Sequence, residues 1–287
     1  MNIVTSTHSP DGKLSDRIGM YREIAPEIRK EIVEMCHAAQ SGHPGGSLSA
    51  VEYLLWLYGE ELQVSPDTLQ DHDRDRLVYS KGHACPVLYA VLSHYGLLDA
   101  DLSKEFRRIG GLPGHSSPKV PGVEFPSGSL GQGLSYANGL AMGADLDGRD
   151  YDVYTVLGDG EIQEGNVWEA AMTAGEKDLD TIAIVDRNMK QNDLPVAKTK
   201  EIDPVPEKFE AFGWKTFRCD GHNFESIADA FNAVRAVDGP RLIIADTIKG
   251  YPISFMEDQP NGYHAGGPSE EELELALAEL GFGEEDP

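Results

Sequence analysis

The sequence predicts an α/β protein: a three-layer, doubly wound parallel sheet with helices on both faces. Short β-branched runs, Val153 to Leu157 and Thr181 to Val185, are bounded by Gly and Asp and read as buried strands. The segment between them, Gln163 to Gly175, has helical composition, and the same alternation recurs later as Lys215 to Arg218, Phe224 to Val237 and Leu242 to Asp246. Strands alternating with helices build a parallel sheet from βαβ units. At 287 residues the chain can bury a large core, and sheets of this class pass about 200 residues as one domain. One domain over residues 1–287 is expected, with the tail 249–287 packed on it.

The elements follow in order. Ile24, Ile28, Ile32, Met35, Cys36 and Ala39 recur at helical spacing, predicting a helix from about Ile18 to Gln40, ended by Gly42. Ser41 to Ser47 is rich in Gly and Pro and is expected to be irregular. The run Ser49-Ala50-Val51-Glu52 has the form of a capping box and opens a second helix. Arg76 to Ser80 reads as a strand ending at Lys81-Gly82-His83, followed by a helix from about Pro86 to Tyr95. Gly110 to Gly128, which contains His115, is expected to be an ordered loop, since long structureless stretches are unusual unless functional. Ser127 to Gly133 leads into a helix reaching about Leu146, whose first backbone N–H groups would suit an anion. Trp168, Met172 and Leu179 are expected to face the core. Lys249 to Pro268 reads as irregular, and a last helix is capped by Ser269 with Glu272 three residues on.

Composition narrows the function. Against 49 Asp and Glu stand 24 Lys and Arg, a formal charge of −25, which argues against nucleic acid or an anionic membrane as partner. Cys36, Cys85 and Cys219 have neither CxxC nor zinc spacing, and free thiols point to a reducing cytoplasm. The polar stretch Met1 to Lys13 has no apolar core of a leader, and no run is apolar enough to span a membrane.

The chemistry is expected at the strand ends. In βαβ units ligands lie outside the carboxyl ends of the strands, where Gly158-Asp159-Gly160 and Asn188 fall, 29 positions apart. Gly-Asp-Gly is also the composition of a plain tight turn. A carboxylate, an amide oxygen and a backbone carbonyl would suffice for Mg²⁺ when a phosphate supplies the other oxygens. Glu161 and Glu164 open the next helix, where negative charge suits the helix dipole without further function. His43, His83 and His115 sit in loops or at a strand end, without the local spacing of a zinc motif.

Six stretches carry a family resemblance: Ser41-Gly42-His43-Pro44-Gly45, Ser80-Lys81-Gly82-His83, Gly114-His115, Gly128-Ser129-Leu130-Gly131-Gln132-Gly133, Gly158 through Gly165, and Asp220-Gly221-His222. Over nearly its whole length the chain resembles the N-terminal, diphosphate-binding half of transketolases. The resemblance implies the thiamine-diphosphate-binding fold, with Asp159, Asn188 and the carbonyl of Lys190 holding Mg²⁺, or Ca²⁺ or Mn²⁺, on the cofactor diphosphate. It implies cofactor contacts from Gly128, Gly158, Gly160 and Glu161, with Leu130 packed on the cofactor rings and His264 toward the phosphate side. His43, His83 and His115 would line a substrate channel and help move protons. Glu164, with Glu169, would lie at a dimer interface on the route that links two active sites.

The implied function is transfer of a two-carbon ketol unit from a ketose or ketose phosphate to an aldehyde acceptor. The sequence stops before the pyrimidine-binding domain of full-length relatives. The expectation is therefore the first subunit of a split transferase, joined with a separate C-terminal subunit in an α₂β₂ heterotetramer; a fragment of a longer chain is the other reading. A subunit of a thiamine-dependent decarboxylating dehydrogenase shares the Gly-Asp-Gly and Asn pattern, and a non-catalytic binding protein is a third reading. Ser41 to Gly45 and Lys81 to His83 favour ketose chemistry. The chain departs from the family pattern after Asn188. Where relatives usually have an apolar residue, Asp and Gly, it has Asn192, Asp193 and Leu194, so Asn192 is expected either opposite Leu130, with its amide paired if buried, or facing solvent.

Overall fold

The computed structural model describes residues 12–283, so the reading of the N-terminal stretch Met1 to Lys13 lies almost wholly outside the described residues. Five strands form one parallel sheet: β1 (Arg76–Tyr79), β2 (Val153–Gly158), β3 (Thr181–Arg187), β4 (Lys215–Asp220) and β5 (Arg241–Asp246), in the order β1-β2-β3-β5-β4. The central strands β2, β3 and β5 are buried at nearly every position. That is why they read as continuous apolar runs, since helices cover both faces of a parallel sheet. Edge strand β4, Lys-Thr-Phe-Arg-Cys-Asp, leaves Lys215, Arg218 and Asp220 exposed, and charge on an edge discourages pairing with other chains.

One face is covered by α1 (Leu14–Ala39), α3 (Val51–Trp56), α4 (Cys85–His94) and α10 (Phe224–Arg235), which share a core with Tyr154, Ile182, Ile184 and Ile243 of the sheet. The other carries α6 (Gly133–Asp147), α7 (Gly165–Lys177) and α9 (Val205–Glu210), packed on Val153, Leu157, Ala183, Val185 and Ile244. Successive residues of one strand thus serve opposite cores. The terminal helix α12 (Glu270–Glu279) lies against α1, with Ala276 buried and the Ser269–Glu272 capping box formed.

Local readings fail where a side chain has a better partner. Helix α1 ends on Gln40 in the left-handed conformation, two residues before Gly42. Residues Pro44–Leu48 form a short helix α2 rather than an irregular loop, because Pro is well suited to a first helical turn. The capping box at Ser49 does not form: its hydroxyl donates to Asp186, and Glu52 pairs with Arg29 and His222. Met172 is 47% exposed on α7 while Leu179 is buried and Trp168 half-buried. Short helices α5 (Leu102–Glu105), α8 (Val196–Thr199), α9 and α11 (Ser254–Asp258) have too few turns for a periodic signal.

Candidate active site

Gly158 of β2 stands opposite Asp186 of β3, so the residues leaving these strands, Asp159 and Asn188, emerge side by side. A cavity of about 320 Å³ opens there. Gly158, Asp159, Gly160 and Glu161 line it from β2, and Asn188, Lys190 and Asn192 from β3. Leu130, Glu164, His83 and His264 complete the expected residues on its wall. Gly128, His43 and His115 are not on the wall, but the His43 ring lies 5.3 Å from both His83 and His264 and 5.8 Å from His115. A larger hollow of about 630 Å³ lies near the opposite ends of the strands, beside Asp152 and Tyr154, and holds none of the expected residues.

Asp159 is 2% exposed, and its carboxylate accepts from the backbone N–H groups of Gly160, at 2.7 Å, and Met189. Burial, reinforced by the neighbouring charge of Asp186, pushes its pKa up to about 7. The amide nitrogen of Asn188 donates to Asp186 at 3.3 Å, which fixes its oxygen on the other side, where it accepts from the Lys190 N–H at 3.2 Å. With the Lys190 carbonyl these are hard oxygen donors, a set that fits Mg²⁺, Ca²⁺ or Mn²⁺ and not a thiophilic metal. Among the described residues no group of three or more His, Cys, Asp or Glu is placed to hold a metal, so any cation here needs oxygens from its ligand as well.

Two lysines bring positive charge: Lys81, quoted above only as part of a motif, and Lys249, for which the sequence suggests no role. Lys81, 1% exposed at the end of β1, pairs with Asp186 and donates to the Gly46 carbonyl at 2.9 Å. Lys81 holds the Asp186 carboxyl below its usual range although burial works against the charge. Lys249, just beyond β5, is buried on the cavity wall and donates to the carbonyls of Lys190 at 3.0 Å and Gln191 at 3.2 Å. Burial pulls its pKa down to about 8. The strand-end argument that singles out Asp159 and Asn188 applies equally to Lys249, but the irregular composition of the tail after it masks that signal.

Glu161 corrects a simple reading. It is 2% exposed, and α7 starts only at Gly165, so Glu161 does not serve that helix's dipole. Its carboxylate accepts from the N–H of Gly131 at 2.8 Å and of Gly158 at 3.0 Å, and from the Ser80 hydroxyl. Near the start of α6 the Gly133 N–H donates to the same Ser80 hydroxyl. The N–H groups of Gly131 and Gly133 are therefore occupied from within, and Glu161 ties the end of β2 to the end of β1 and to the 127–133 loop. Glu164 is exposed at the mouth and makes no capping bond to α7.

The four imidazoles are held neutral. Burial first, then Arg107, lowers His43 to about 4; burial, then Lys249, lowers His264 to about 3; His83 and His115 are lowered for the same first reason. A neutral imidazole offers one donor and one acceptor, the equipment for hydroxyl and carbonyl groups. The buried Nδ1 of His43 has no partner among the described residues. Asn192 shares the cavity wall with Leu130 and is exposed to solvent there, its amide donating to Asp193 at 3.1 Å, so no buried amide awaits a partner.

Fold and site together define a parallel α/β protein with an oxygen-rich, lysine-bearing cavity at the carboxyl ends of its central strands. Residues 20–287 match the family described as transketolase, thiamine diphosphate binding domain, and the chain belongs to that family. It is 36% identical over 255 residues to one subunit of the apulose-4-phosphate transketolase of Phocaeicola vulgatus, covering 88% of this chain and 90% of the relative. It is 39% identical over 257 residues to 6-deoxy-6-sulfo-D-fructose transketolase subunit SqwG of Clostridium sp., covering 88% and 93%. The transketolase structure from Campylobacter jejuni superposes with a TM-score of 0.84 at 32% identity, over 92% of this chain and 43% of that one. The chain thus spans less than half of that longer enzyme and nearly all of the two relatives named as single subunits.

Proposed function

We propose that this chain is the thiamine-diphosphate-binding subunit of a two-chain transketolase, a transferase moving a two-carbon ketol unit from a ketose bearing an anionic group to an aldehyde. The observation that carries the proposal is the meeting on one cavity of two features: the oxygens of Asp159, Asn188 and Lys190, and the neutral imidazoles of His83 and His264, with His43 and then His115 ranged behind them. Asp159, Asn188 and the Lys190 carbonyl would hold a divalent cation against the diphosphate, with the Lys249 ammonium facing the same anion. When bound, the cofactor supplies the carbon–carbon chemistry. The histidines of this chain orient substrate oxygens and exchange protons with them, and Leu130 offers the cofactor an apolar contact.

A separate partner subunit is part of the proposal. Tyr136, Met142 and Leu146 on α6 and Met172 on α7 are exposed together with Glu164 and Glu169. Apolar side chains exposed on two adjoining helices support burial against other chains, in keeping with an α₂β₂ assembly in which the partner carries the pyrimidine-binding domain. No helix among the described residues is long and apolar enough to cross a membrane. The three cysteines are free and buried, which supports a cytoplasmic setting.

The test is to combine the purified chain with the product of an adjacent transketolase-like C-terminal gene, thiamine diphosphate and Mg²⁺, and to assay ketose phosphates, a ketose sulfonate and 2-oxo acids against aldehyde acceptors. Ketol transfer only in the presence of both chains is expected. Turnover by this chain alone removes the two-chain reading, and oxidation of a 2-oxo acid without ketol transfer favours the dehydrogenase class.

A further inference from the structure

The motif Asp220-Gly221-His222, at the turn from β4 into α10, sends no side chain to the cavity. We propose that His222 is a positioning residue for cofactor binding, fixing the backbone of Ile248 so that the next side chain, Lys249, enters the cavity. This rests on the reading that the Lys249 ammonium faces the diphosphate.

The hydrogen-bond directions are set by the partners. The Ile248 N–H donates to His222 Nε2 at 2.9 Å, so Nε2 is the unprotonated nitrogen. Nδ1 then carries the hydrogen and donates to Glu52 at 3.2 Å. Glu52 is buried and paired with Arg29 of α1, and the imidazole stacks on Tyr251 with ring centroids 4.0 Å apart. The ring is therefore held from two sides, leaving one nitrogen to receive the strand leaving β5.

The rest of the motif clamps the same segment. A Cβ on Gly221 would stand 2.4 Å from the Thr247 side chain and 3.0 Å from the Asp246 carbonyl, so only glycine lets the turn lie on that strand. The Gly221 N–H donates to Asp246 at 2.7 Å, and Asp220 accepts from the His222 N–H at 2.9 Å, holding the turn closed. Three successive residues then have separate anchors. Thr247 donates to Asp186 and Ile248 to His222, while the Lys249 ammonium reaches the Lys190 and Gln191 carbonyls and His264. A lysine side chain has many rotamers, and holding it in a buried position requires its Cα to be fixed first.

The experiment measures thiamine diphosphate affinity calorimetrically in excess Mg²⁺, on the full chain together with its partner subunit, and records the unfolding temperature in parallel. Glutamine at 222 can place an acceptor near Nε2 and keep the Ile248 bond; asparagine can keep a donor near Nδ1 but not that acceptor. His222→Asn is expected to weaken binding about tenfold, the usual size of an effect transmitted through a ligating group. His222→Gln is expected to stay close to the unaltered chain even if both lose similar thermal stability. Gly221→Ala, which keeps the imidazole and displaces the turn, is the second variant and is expected to weaken binding too. Equal losses in the Gln and Asn variants, or unchanged affinity in Gly221→Ala, overturn the inference and leave the motif purely structural. Lys249→Met is expected to weaken binding at least as much as His222→Asn. If it does not, the reading of Lys249 fails and the inference falls with it. If only Lys249→Met weakens binding, the reading of Lys249 stands and the inference alone fails.

Discussion

Gly45 touches the backbone of Gly262: a methyl group on Gly45 would stand 1.7 Å from the Gly262 carbonyl oxygen. The Gly45 N–H donates to Tyr263 at 3.2 Å and its carbonyl accepts from Gly250 at 3.1 Å, so the loop carrying His43 is bound to the segment carrying His264. Gly45→Ala is expected to lower stability by about 1–3 kcal/mol through overpacking and to part the two imidazoles. Gly143, on α6 with open space around it, is the control; alanine there is expected to be neutral or to stabilise by about 1 kcal/mol. Thermal unfolding of both variants checks this, and equal behaviour counts against the contact.

Lys81 and Asp186 form a charge pair at the floor of the site, both nearly inaccessible. Removing one partner strands the other charge, so Lys81→Met and Asp186→Asn are each expected to cost about 3–5 kcal/mol. The double variant is expected to cost less than the two losses added, because no charge is left unpaired. Denaturant unfolding of the three variants measures the coupling; strict additivity refutes it.

Glu31 on α1 has a buried carboxylate oxygen without a partner among the described residues. Burial first, then Glu34 and Glu27, raises its pKa to about 7 from 4.5. The folded state therefore binds the proton more tightly than the unfolded one. Below pH 4.5 both states are protonated and there is no penalty; as pH rises toward 7 stability is lost, and the full penalty holds above it. Glu31→Gln is expected to raise stability by about 1–2 kcal/mol at about pH 8 and to change little at about pH 4. Unfolding curves at the two pH values decide it, and a gain of equal size at both rejects the charge penalty as its cause.

Much of the fold was legible because its signals are local or periodic. Apolar β-branched runs mark β2, β3 and β5, which are buried on both faces, and the Ser269 capping box marks α12. Asp159 and Asn188 were legible through one topological rule, that ligands gather at the carboxyl ends of parallel strands. What escaped depends on contacts between distant residues. Ser49 and Glu52 have the spacing of a cap, yet Asp186, Arg29 and His222 offer partners 137, 23 and 170 positions away. Glu161 looks like an ordinary acid before a helix until Gly131 and Ser80 fold over it. Lys249 has no local signal beyond its place after β5, and only the arrangement of the loops shows where its ammonium points.

On the reading proposed above, this chain binds thiamine diphosphate through a divalent cation held by Asp159, Asn188 and the Lys190 carbonyl. Calorimetric titration of thiamine diphosphate into the assembled protein, with Mg²⁺ and with chelator, tests it most directly when the unaltered chain is compared with Asp159→Asn. Tight binding that requires the metal is expected in the unaltered chain, and in the variant loss of that metal dependence with at least about a hundredfold weaker binding, an affinity change of about 2.7 kcal/mol. Unchanged, metal-dependent binding in Asp159→Asn, with the variant shown to be folded, would contradict it.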